Sequence, residues 1–107
     1  MNRILLEKAR AGLPKRLNAG ILQGDGGFCI LGWLLVCAGF HPIAIYGSTH
    51  AVIDAHRGGR AVDVVAREYG LAPEAVADLA HLNDGTPAAQ RVQAVRERLD
   101  ALLGAGS

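Results

Sequence analysis

Residues 24–40, GDGGFCILGWLLVCAGF, contain the only segment of this chain that is hydrophobic on every side. A glycine-rich turn opens into thirteen uncharged residues, Phe28 to Phe40, all of them apolar except Gly32 and Gly39. A helix that is apolar all round is either a buried central helix or a membrane span. Spanning takes about 20 residues. Here the run meets His41-Pro42 and resumes only as Ile43–Tyr46, with no cluster of Lys or Arg at either end to orient an insertion. The segment is therefore predicted as the buried central helix, about residues 28–39, of a mainly α, small single-domain helical bundle covering 1–107.

Composition agrees. Half of the 107 residues are apolar and a fifth are charged, which is ordinary for a globular core. Only 5% are aromatic, so Leu, Val, Ile and Ala must build that core, and the weight on Leu and Ala favours helix over sheet. The formal net charge of +1 argues against a general attraction to nucleic acid. Charge is uneven, with Arg3, Lys8, Arg10, Lys15 and Arg16 near one end and acids predominating after residue 70. Cys29 and Cys37 lie about 12 Å apart on one helix, too far for a disulfide, whose Cα atoms sit within about 7 Å. Two unpaired thiols and no legible signal peptide point to a reducing, cytoplasmic setting.

Outward from the centre, Asn2 is expected to cap a helix over Arg3–Ala11, with Ile4, Leu5 and Ala9 inward and Gly12 at its end. Residues 43–48 read as one short strand or an irregular segment, or Ser48 or Thr49 caps a helix there. Arg60–Tyr69 forms another helix, stopped by Gly70. Pro73 starts the next, with Leu71 and Val76 in the hydrophobic-staple positions and Val76, Leu79 and Leu82 buried. Asn83-Asp84-Gly85 is expected to turn the chain. Thr86-Pro87 then starts a terminal helix through about Leu103, with Val92, Val95, Leu99, Leu102 and Leu103 as its stripe.

The run ARAGLPKRLNAGIL–GDGGFCILGWLLVCAG, followed downstream by YGLAPEAVADLAHLNDGTP, resembles a family of small uncharacterised proteins from tailed phages and prophages. The matching positions are Ala11-Gly12, Gly24-Asp25, Phe28-Cys29, Leu31-Gly32 and Leu82-Asn83-Asp84. Ile30 stands where the family has a second cysteine, Val36 stands where members often carry an acid, and the closing helix lacks the usual Ser-Phe start. The resemblance implies a bacterial host and an accessory role, and brings no established activity.

Cys29 is the sharpest candidate for chemistry. It opens a helix, where free N–H groups and the helix dipole favour a thiolate, and a histidine such as His81 follows later, as in thiol hydrolases. The favoured reading is a small buried hydrophobe. For Asn83 and Asp84 it is structural, with a buried Asp84 anchoring the Gly24–Gly27 turn. Cys37, His41, His50 and His56 do not have the spacing of a zinc site, so no metal and no cofactor is expected. The segment around Gly70 has the pattern of a helix-turn-helix, but its second helix carries Glu74, Asp78 and Asp84 and no Lys or Arg. Direct DNA binding is therefore not expected.

Lys15 and Arg16, with Asp25, Asn83 and Asp84, are left as binding candidates. The chain is read as a non-enzymatic interaction module, for which the phage resemblance implies a host or defence component as target, with a protein partner expected and a homo-oligomer open. The alternatives are a hydrolase or transferase using Cys29, and a small-ligand binder with its pocket between the two turns.

Overall fold

A computed structural model of the protein describes residues 1–20, 23–24, 27–41, 51–52 and 59–105. Among these are five helices: α1 (Arg3–Ala11), α2 (Ile30–Cys37), α3 (Ala61–Tyr69), α4 (Pro73–Gly85) and α5 (Ala88–Ala105). Two short antiparallel pairings accompany them, β1 (Gln23–Gly24) with β2 (Gly27–Phe28) and β3 (Ala51–Val52) with β4 (Gly59–Arg60). The chain is a small, mainly α domain. The segment 43–48, with its alternative strand or helix, lies outside the described residues.

The apolar segment forms the centre. α2 packs against α1, α3 and α4, and α5 closes across α1 and α4. Ile30, Leu34 and Leu35 are fully buried, and among the described residues no helix is long and apolar enough to cross a membrane. Cys29 is the N-cap of α2 and makes no side-chain capping bond. The far end stops where Gly39 takes a φ of 104°. There the Gly39 N–H donates to the Val36 carbonyl and the Phe40 N–H to that of Leu35, both at 3.0 Å. This is a Schellman closure, with buried Phe40 following the turn.

α3 also ends on a left-handed glycine. Gly70 is left-handed at φ 64°, ψ 35°, and the Leu71 N–H reaches back to the Ala66 carbonyl at 3.0 Å. A Cβ on Gly70 would also meet the backbone of Met1 at 3.0 Å, because the Asn2 N–H donates to the Tyr69 carbonyl at 2.7 Å. Pro73 occupies the first turn of α4 as expected. Tyr69 is fully buried, and its hydroxyl donates to the Leu34 carbonyl.

Five details differ from the sequence reading. In α1 the inward residues are Leu6 and Ala9, while Ile4 is 81% exposed. Leu6, Ala9 and Leu13 are the set that keeps helical spacing toward the core. Gly12 has an ordinary φ of −94°; a Cβ there would lie 3.3 Å from the Trp33 ring, a tight contact rather than a backbone requirement for glycine. Asn83-Asp84-Gly85 does not turn the chain but forms the last turn of α4. The inward stripe of α4 runs Val76, Leu79, Asn83, so the asparagine is buried and Leu82 only half-buried. Finally, the Thr86 hydroxyl donates to the Leu82 carbonyl at 2.6 Å, closing α4 behind it, and α5 begins at Ala88.

Candidate functional site

The end of α4 carries the one buried polar side chain of the described core, Asn83, at 1% exposure. Its place follows from helical spacing, because it stands seven residues after Val76 and four after Leu79, on the face that meets α2. An amide taken from water must find partners or cost stability, and Asn83 finds them on separate parts of the chain. Its Oδ1 accepts from the Ile30 N–H at 3.2 Å, serving a free donor in the first turn of α2. Its Nδ2 donates to the Asn18 carbonyl at 2.7 Å and to Asp84 Oδ1 at 2.9 Å. Its own carbonyl accepts from Arg91 Nε at 2.7 Å.

The neighbours extend the junction. Asp84 Oδ1 also accepts from the Gly20 N–H at 2.9 Å. Arg91 Nη1 donates to the Leu17 carbonyl at 2.8 Å. Asn18 donates from its backbone N–H to the Phe28 carbonyl at 2.8 Å and from Nδ2 to the Gly27 carbonyl at 2.7 Å. The connector 17–20, the strand β2 and the facing ends of α2, α4 and α5 are thus tied through two asparagines, one aspartate and one arginine.

This arrangement alters the expected roles. Asp84 is exposed, not buried, and among the described residues the backbone N–H it holds is that of Gly20; the middle of the Gly24–Gly27 turn lies outside the described residues. The buried anchor is Asn83. Asn18, Gly20 and Arg91 belong to the junction although sequence reasoning did not single them out. Arg91 carried the one legible signal, a cation one turn before the fully buried Val95 of α5. Asp25 lies outside the described residues, as do His50 and His56.

Cys29 stands beside the junction, 6% exposed. Burial pushes its thiol above the ordinary range, and this is the largest influence; the N–H groups of Gly32 and Leu31 at the helix end pull the other way. The dipole argument for a thiolate is thus present but is outweighed by desolvation. The half-buried Cys37 thiol is raised as well, again chiefly by burial. His81 is on the exposed side of α4. It lines a hollow of about 240 Å³ together with Arg60, Ala80 and Asp84, whereas Cys29 lines a neighbouring one with Gly20, Ile30 and Asn83, which shares Ala80 and Asp84 but not His81. That second cavity, between the connector and the end of α4, measures about 10 Å³. It has room for about one water molecule, whereas a small-molecule site takes roughly 300 Å³ or more.

The basic residues near the start of the chain separate into two groups. Arg3 pairs with Glu7 at 2.8 Å and donates to the Leu103 carbonyl at 2.6 Å. Arg10 grips Asp100 through two bonds, at 2.8 and 3.2 Å. Lys15 and Arg16 are exposed, and neither meets a carboxylate among the described residues. Comparison of the chain with protein-family models, with curated proteins and with solved structures found no match.

Proposed function

We propose that this protein acts by binding a protein partner rather than by catalysis. The observation that supports this most is the state of the polar groups nearest the centre. Asn83 has both side-chain heteroatoms committed to its own chain, Asp84 serves the same junction, and Cys29 is a buried thiol pushed toward its neutral form. Groups spent on holding a fold do not turn over a substrate. Among the described residues Lys15 and Arg16 are adjacent exposed cations with no carboxylate partner, as Lys8, Arg60 and Arg98 are singly elsewhere, and charge of this kind sets the rate and orientation of encounter with a partner. The resemblance to phage and prophage proteins makes a component of a bacterial host or its defences the partner to look for. The unpaired thiols Cys29 and Cys37 suit a cytoplasmic site of action.

The test is a capture experiment from bacterial lysate with the intact protein and with the double variant Lys15→Glu, Arg16→Glu. The reading expects a captured protein that is lost in the variant while the melting temperature is unchanged. Thiol labelling examines the same reading from the other side. In the folded protein at about pH 6, Cys29 should alkylate no faster than an ordinary thiol. Rapid labelling of Cys29 there, together with loss of a turnover in Cys29→Ser, would return the protein to the enzymes.

A further inference from the structure

We infer that the groove between residues 16–18 and the first turn of α5 takes an acidic segment of the protein partner, held by the guanidinium groups of Arg16 and Arg91. This rests on the reading of the chain as a binding module and names the surface and the chemistry it selects.

The groove has a volume of about 450 Å³ and is lined by Arg16, Leu17, Asn18, Ala88, Ala89 and Arg91. Among the described residues two cations face it and no acid does. Arg91 is half-buried, and its two bonds go to neutral acceptors, the carbonyls of Asn83 and Leu17. Among the described residues no carboxylate reaches it. A guanidinium drawn partly out of water usually sits with an anion. Here the two backbone bonds fix the plane of the fork at the groove wall and leave Nη2 outside them. Arg16 stands across from it, exposed and without a carboxylate among the described residues.

The end of α5 adds the same sign, because its first turn contains no acid to oppose the helix dipole. Planar guanidinium groups match carboxylates through paired hydrogen bonds. The apolar lining from Leu17, Ala88 and Ala89 suits the methylene groups of Glu or Asp side chains. Among the described residues no aromatic lines the groove to stack a base, which favours a peptide over a nucleic acid.

The experiment is an amide-resolved NMR titration of the whole protein with a capped tetraglutamate peptide, with tetraglutamine as the neutral control. Saturable shifts are expected at residues 16–18 and 88–91, weakening as salt is raised. Arg16→Gln should weaken binding about tenfold or more, the loss of a charge-assisted bond. Ala89→Glu should abolish it while the melting temperature holds or rises, since an acid in a first turn favours the helix. A merely structural groove would not separate those two readouts. Equal shifts with tetraglutamine, or undiminished tetraglutamate binding in Ala89→Glu, overturn the assignment. So does oligothymidylate binding at the same amides with comparable strength, or self-association of the protein that Ala89→Glu dissolves. If a captured partner is retained by Ala89→Glu but lost from the Lys15, Arg16 double variant, the groove is wrong and the binding reading survives. If neither variant affects capture, the surface named for that reading is wrong as well.

Discussion

The junction at Asn83 and the seam between α1 and α5 are both built from side-chain hydrogen bonds, and they differ in what surrounds those bonds. At the seam, Arg10 and Asp100 face water, and solvent replaces either partner when the other is removed. At the junction, Asn83 is 1% exposed and its partners include the first N–H of α2. Bulk water does not reach Asn83 to take over its bonds. Distances do not distinguish the two places, since the Arg10 Nε bond at 2.8 Å is shorter than the Ile30 bond at 3.2 Å. The lesson is that the penalty for a stranded partner, more than bond length, separates an interaction that specifies a fold from one that decorates it.

The comparison can be broken or sharpened by substitution. Asn83→Leu strands the Ile30 N–H and the Asn18 carbonyl together, each costing about 1–3 kcal/mol. A total loss of about 2–6 kcal/mol is expected in urea unfolding, a large share of the stability of a domain this size. A loss below 1 kcal/mol would place Asn83 with the surface pairs. Arg91→Met keeps the aliphatic stem but frees the carbonyls of Asn83 and Leu17, and about 1–3 kcal/mol should be lost. Asp84→Ala removes an acceptor shared by Gly20 and Asn83 near solvent, so its cost should stay near or below about 1 kcal/mol.

Asp100→Asn should have the smallest effect, and it carries a pH signature. The hydrogen bond from Arg10 holds the Asp100 carboxyl below the ordinary carboxylate range. A group whose folded value is lowered contributes above its unfolded value, about 3.9 for Asp, and the contribution is lost as pH falls through the folded value. The melting difference between the parent and Asp100→Asn should therefore be present near neutrality and vanish in acid. A difference that grows in acid would contradict the assignment.

Much of the fold was legible because its signals are local. Asn2 caps α1, Pro73 opens α4, and Gly39 and Gly70 take the left-handed conformations that end α2 and α3. Other features depended on partners distant in sequence. Ile4-Leu5-Leu6 offers three consecutive apolar residues, so the phase of α1 is ambiguous until α2 and α5 choose Leu6. Asn83-Asp84-Gly85 has the residue preferences of a turn, yet α4 continues through it because Asn83 finds Asn18 and Ile30 across 65 and 53 residues of chain. The dipole argument at Cys29 was readable from its position, whereas the burial that outweighs it belongs to the packed helices. Arg16 was legible as a surface cation. Its opposition to Arg91 across a groove was not, because that depends on where α5 begins relative to the connector.

The single tryptophan of the chain has a use of its own. The Trp33 indole N–H donates to the Ala9 carbonyl at 2.9 Å, and its ring lies 6.1 Å from that of Phe28, tilted by 54°. The only indole chromophore therefore stands where α1 meets α2, with the hairpin strand β2 at its edge. Its emission colour is an optical gauge of whether the first helix is docked, readable without a label and separable in time from the helical signal of the rest of the molecule.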